Sequence, residues 1–230
     1  MKEVIYTIPI NDAYDEKCAC PVCRLERKLN EESLEYIMGA AMMEPDVRIE
    51  TNRLGFCAHH FEKMLKMKNR LSLALMLQSY LRELLERGVC EDTQHVGKRE
   101  FESISEKLKT SSEGCYVCQR VEEKLSLYIR NIIYIWESSE EFREKTREQE
   151  YFCPKHLSAL MSEAKKTLSK RRYSEFCRDH FSKTRKILES LESDVTKFCN
   201  SYNYKFRDVP LGEAKNSIER TIDFLNGDEK

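Results

Sequence analysis

From Pro21 onward the apolar positions Val22, Leu25, Leu29, Leu34, Ile37 and Met38 fall three or four residues apart as far as Gly39, the spacing of one face of a helix. The same period returns at Val121, Leu125, Tyr128, Ile129, Ile132, Ile133 and Trp136, which predicts a long core helix in the second part of the chain. Leu71 to Leu85 is apolar on nearly every side in its first half, so a helix buried within a bundle is expected there. Further helices are predicted over Phe56 to Met67, about Glu91 to Lys109, Cys153 to Leu168, Tyr173 to Tyr202 and Gly212 to Leu225, with a solvated helix from Glu137 to Glu150. Two stretches lack a helical period. Val4, Ile5, Tyr6, Ile8 and Ile10 suggest an extended arm over residues 1–19, and Glu44 to Gly55 reads as a polar return through Pro45.

Composition agrees with a helical reading. Only 7 glycines and 5 prolines punctuate 230 residues, too few for the tight turns of a sheet protein, so the fold class is all-α. The formal charge of -1 leaves no field that would collect polyanions, which argues against nucleic acid as the partner. No run reaches the roughly 20 apolar residues of a membrane-spanning helix, and the first residues do not read as a signal peptide. A cytoplasmic protein with no membrane partner is expected. In a reducing compartment, ten cysteines point to metal rather than to disulfides.

The cysteines are patterned. Cys20/Cys23 and Cys115/Cys118 are C-x-x-C pairs, and Cys57/His60 and Cys153/His156 are C-x-x-H pairs, each introduced by a phenylalanine. The two C-x-x-C pairs are offset by 95 residues and the two C-x-x-H pairs by 96, the mark of an internal duplication. The expected architecture is therefore a helical bundle of two pseudo-twofold halves, residues 1–113 and 114–230. In chain order, Cys20, Cys23, Cys57 and His60 would staple the first half and Cys115, Cys118, Cys153 and His156 the second.

Three thiolates and an imidazole close a tetrahedron around zinc and leave no position for water, so two structural zinc ions are expected and no catalytic residue is assigned. An iron–sulfur cluster or a thiolate-based redox carrier uses the same ligand types and stays open as the alternative. Cys20 and Cys57 are placed at helix N-caps, with Pro21 at the first helical position. Phe56 with Phe61, and Phe152 with Leu157, are placed as hydrophobic staples. Cys18 is a neighbour of the first pair and His59 an exposed neighbour of His60. Cys177 and His180 imitate a C-x-x-H pair without an upstream C-x-x-C; Cys177 reads as core and His180 as surface. Cys90 and Cys199 read as buried apolar groups, and the basic run Lys165 to Arg172 as a solvated helix end.

The opening Tyr6 to Ala13, the Cys20-Pro21-Val22-Cys23 pair, the Phe56-Cys57 to His60-Phe61 stretch, Asn69 to Leu77 and the tail Tyr202 to Glu213 together resemble a bacterial domain-of-unknown-function family over nearly the whole chain. Leu211 stands where that family is expected to carry Trp. The resemblance implies no assigned activity. Some members carry the label of ABC-transporter substrate-binding protein, which would make a solute receptor a further alternative. The leading expectation is a zinc-stapled interaction or regulatory module that binds a protein partner, with a small molecule in the groove between the halves as the second possibility.

Overall fold

The computed structural model describes residues 4–16, 18–87, 97–206 and 210–227. Among them the chain is all-α, with no strand. Eleven α-helices follow in order: α1 Val4–Asp15, α2 Pro21–Met38, α3 Pro45–Leu54, α4 Ala58–Lys66, α5 Arg70–Arg87, α6 Lys98–Glu113, α7 Tyr116–Ser138, α8 Glu140–Glu148, α9 Pro154–Thr167, α10 Lys170–Asn200 and α11 Ser217–Asn226. Short 3₁₀ turns at Ala40–Met43, Tyr204–Phe206 and Gly212–Asn216 connect some of them.

The chain forms two compact units that do not coincide with residues 1–113 and 114–230. One unit comprises residues 1–27 and 125–230, the other residues 28–124, and the division falls inside α2 and α7. In the first unit α1 packs on α8, α8 and α9 pack on α10, and α11 packs on α9 and α10. Its core is aromatic: Tyr14, Trp136, Phe142, Phe152, Phe176 and Phe224 are all fully buried. Trp136 meets Phe176 edge-on with ring centroids 4.9 Å apart, and the guanidiniums of Arg172 and Arg143 lie over its indole at 5.1 and 5.7 Å. In the second unit α3 packs on both α5 and α6, and α4 on α5. Leu29, Ile37, Met64, Leu73, Met76, Val117 and Val121 are buried there.

Several expectations are revised. The opening arm is a helix, with Pro9 inside it. Its buried positions, Ile10, Ala13 and Tyr14, have the i, i+3, i+4 spacing of a helix face but lie at and beyond the end of the apolar run. The polar return after Glu44 is helix α3, begun by Pro45 in its first turn and ended at Gly55, whose φ of 61° is one that side chains rarely adopt. Helix α5 is not enclosed: Ser72, Leu73 and Met76 are buried while Leu71, Leu81 and Leu85 are exposed. Helix α8 is half-sunk, with Phe142 and Thr146 inward; Ser139 caps it by accepting from the Phe142 N–H at 3.2 Å. The reading of Cys90, and the stretch 91–96 of the expected connecting helix, lie outside the described residues.

Candidate metal centres

Four helices begin with a cysteine. Cys57 and Cys153 are the N-caps of α4 and α9, and Cys20 and Cys115 immediately precede α2 and α7. In every case the cysteine carbonyl accepts the first intrahelical bond: from Arg24 N at 3.3 Å, Phe61 N at 3.0 Å, Gln119 N at 3.0 Å and Leu157 N at 2.9 Å. The second ligand of each pair lies at the third helical position, so both project from the same helix end. Free N–H groups and the positive end of the dipole favour thiolate there. The Phe56 staple forms as expected, its ring 5.5 Å from that of Phe61.

The pairs meet across the sequence halves, not within them. Cys20, Cys23, Cys153 and His156 form one cluster, and Cys57, His60, Cys115 and Cys118 the other; within each cluster the ligand atoms all lie within 4.8 Å of one another. The expected quartets, Cys20/Cys23/Cys57/His60 and Cys115/Cys118/Cys153/His156, are not brought together. The helix lengths are in keeping with this. An 18-residue α2 is about 27 Å long, and the 10-residue α3 that follows spans only about 15 Å. Helix α3 alone is too short to retrace α2, and Cys57 meets instead the pair that opens α7. The same holds for the 23-residue α7 and the 9-residue α8.

Each cluster lies inside one compact unit and has the same internal geometry. In the first, His156 Nδ1 stands 3.2 Å from Cys23 Sγ, 3.2 Å from Cys153 Sγ and 3.8 Å from Cys20 Sγ, and Cys23 and Cys153 are 3.4 Å apart. In the second, His60 Nδ1 stands 3.2 Å from Cys57 Sγ, 3.3 Å from Cys115 Sγ and 3.4 Å from Cys118 Sγ, with Cys57 and Cys118 3.9 Å apart. These separations bracket the edges of a tetrahedron with metal–sulfur bonds of about 2.3 Å and metal–nitrogen bonds of about 2.0 Å. All eight side chains are free of disulfides. A backbone bond ties the two loops at each cluster: Tyr151 N donates to Ala19 O at 3.1 Å in one and Tyr116 N to Gly55 O at 3.0 Å in the other.

In both clusters Nδ1 faces the sulfurs, leaving Nε2 to be oriented from behind. His60 Nε2 donates to Asn30 Oδ1 at 2.8 Å. His156 Nε2 stands 3.2 Å from Glu26 Oε2, whose other oxygen receives Lys155 Nζ at 2.6 Å. Asn30 and Glu26 were not singled out from the sequence. Their signal is one turn of separation on α2, visible only once each histidine is known to face that helix.

Electrostatics differ accordingly. Burial pushes the His60 imidazole down to about 4, with His59 and Lys63 adding to the effect, so it is the neutral ligand that a metal requires. Burial also opposes charge on His156, but Cys153, Cys23 and Glu26 outweigh it and raise the group to about 11. Hydrogen bonds from Cys20 and Cys23 hold the Cys153 thiol far below its usual range. Burial raises Glu26, yet its contacts with His156 and Lys155 prevail and hold it at about 2. A cation held by Cys20, Cys23, Cys153 and His156 would take the place of the His156 proton and supply the positive charge these groups favour.

The remaining candidates fall outside both clusters. Cys18 is half-buried, its Sγ 3.9 Å from both Ala13 O and Gln149 Oε1. His59 is exposed, as expected. The decoy pair is reversed: His180 is fully buried between the rings of Phe152 and Phe176, and Cys177 is half-buried against Met161 Sδ at 3.4 Å. Cys199 is exposed on α10 rather than buried.

Among the described residues no helix is long and apolar enough to cross a membrane. No solved structure matches the chain. A protein of Caldicellulosiruptor sp. (strain Rt8B.4), described as an uncharacterized 23.9 kDa protein in the xynA 3' region, is 22% identical over 182 residues, which cover 79% of this chain and 77% of that protein. The match to the family described as a family of unknown function (DUF6062) runs over residues 1–230, and the chain belongs to that family.

Proposed function

We propose that the protein is a cytoplasmic zinc protein in which two structural Cys₃His sites hold a helical scaffold for binding another protein. The observation that carries the metal reading is the convergence, in each compact unit, of two helix N-termini that bring three sulfurs and one Nδ1 within 4.8 Å. Unfolded chain does not hold such ligands together, so metal binding free energy becomes folding free energy. Four protein ligands leave no open coordination position, which favours a structural over a catalytic role.

The spacing favours one ion per site over an iron–sulfur cluster, because a cluster distributes its ligands over different irons and spreads them further apart. Thiolates kept free of disulfides suit a reducing compartment. Exposed Leu71, Leu81, Leu85 and Phe101 on α5 and α6 favour a protein partner. Helix order supports the internal duplication. Helices α1 to α5 and α6 to α10 repeat one sequence of elements, and in each set the short helix after the C-x-x-C helix receives the first helix of the other set, α1 on α8 and α6 on α3.

Metal analysis of protein purified without added chelator tests the reading. About two zinc ions per chain and no visible absorption are expected. A reducible visible chromophore with iron, or protein that folds without metal, would contradict it.

A further inference from the structure

The two sites share a ligand set but not their surroundings. In the first, Cys20, Cys23, Cys153 and His156 are all buried, whereas in the second Cys118 is exposed and Cys57 half-buried. Helix α11, which has no counterpart after α5 within the described residues of the first set, brings its C-cap against the first site. Its C-terminal Gly227, at a φ of 80°, comes so close to the first site that a side-chain carbon there would stand 3.0 Å from Cys23 Sγ and 3.8 Å from Cys153 Sγ. With that φ and that approach to Cys23 Sγ, a residue without a side chain suits the position. Cys118, the residue that corresponds to Cys23, is exposed.

The support behind the histidines differs as well. A carboxylate, Glu26, backs His156 and is itself pinned by Lys155, while a neutral amide, Asn30, backs His60. A carboxylate behind a ligating imidazole raises its basicity and fixes its orientation; an amide fixes orientation alone.

We infer that the metal held by Cys57, His60, Cys115 and Cys118 is the exchangeable one of the two, entered through Cys118, with Glu26 acting as the positioning residue that retains the metal at the first site. This rests on the zinc reading above and adds a division of roles to it. The covered site is a permanent clamp; the open one gives its metal to a competing chelator or thiolate ligand. Exchange proceeds by stepwise ligand replacement, the Cys118–metal bond breaking as a bond to the incoming donor forms, with no change of oxidation state.

The test is zinc release from the full-length protein into the chromogenic chelator 4-(2-pyridylazo)resorcinol, followed by absorbance. Two phases of one zinc each are expected. The fast phase should be missing in Cys57→Ala and the slow phase in Cys153→Ala. Milder variants guard against loss of folding: Glu26→Gln should speed the slow phase by about 10- to 100-fold and leave the fast one unchanged, and Asn30→Asp should slow the fast phase. Equal release rates, or a fast phase that disappears in Cys153→Ala, would overturn the inference while leaving the zinc reading intact. Protein with no zinc to release would remove the zinc reading itself, and this inference with it.

Discussion

Cys23 and Cys153 are 130 residues apart in the chain, and their sulfurs are 3.4 Å apart in the fold. Inside the loop that this pair closes lies the whole of the other cluster, from Cys57 to Cys118. The two candidate sites are therefore nested along the chain and not arranged one after the other. Neither sequence half holds a complete set of ligands.

His180 makes stability depend on pH. Its Nδ1 donates to Phe176 O at 2.7 Å, and burial pushes the imidazole down to about 4, against about 6.5 in an unfolded chain. Between those values the unfolded state binds the proton and the folded state does not. Stability therefore falls as pH drops from about 6.5 towards 4, by an amount on the order of 3 kcal/mol for this group. In His180→Phe that component disappears. Urea denaturation of both proteins at pH 7 and pH 5 checks this: the loss on acidification should be smaller in the variant, and equal losses would show that His180 does not titrate across folding.

Gly114 is fixed by close approach. A Cβ there would meet Leu54 O at 2.6 Å and Thr110 O at 2.8 Å, both backbone atoms that cannot swing aside. It also places Cys115 at the start of α7, beside the loop that carries Cys57. Gly114→Ala should lower stability by about 1–3 kcal/mol and weaken zinc retention at the Cys57/His60/Cys115/Cys118 site alone. A thermal melt together with the zinc-release assay reads both effects; an unchanged melting temperature would mean that the backbone here yields easily.

The local half of this architecture was legible in the sequence. Pro21 after Cys20 announces a helix start, and Phe56 and Phe61 announce the staple, because caps and staples are decided within a few residues. Which C-x-x-C hook closes which C-x-x-H hook is not decided locally. Both hooks are chemically identical, and which pair meets which is set by tertiary packing that no local signal carries. His180 was misread for a related reason. Phe176, His180 and Thr184 are four apart and all buried, whereas Cys177, one step round the helix, is only half-buried. Reading the pair as a C-x-x-H decoy hid the helical stripe. The first helix shows no helical period in its apolar run because its buried positions, Ile10, Ala13 and Tyr14, lie at its far end.

Zinc counting by native mass spectrometry on two double variants tests the crossed pairing most directly. Cys23→Ala with Cys153→Ala damages a single site, so that protein should keep one zinc. Cys23→Ala with Cys57→Ala damages both, so that protein should keep none. The reverse result, no zinc in the first variant and one in the second, would mean that each half closes its own site and would contradict the crossed arrangement.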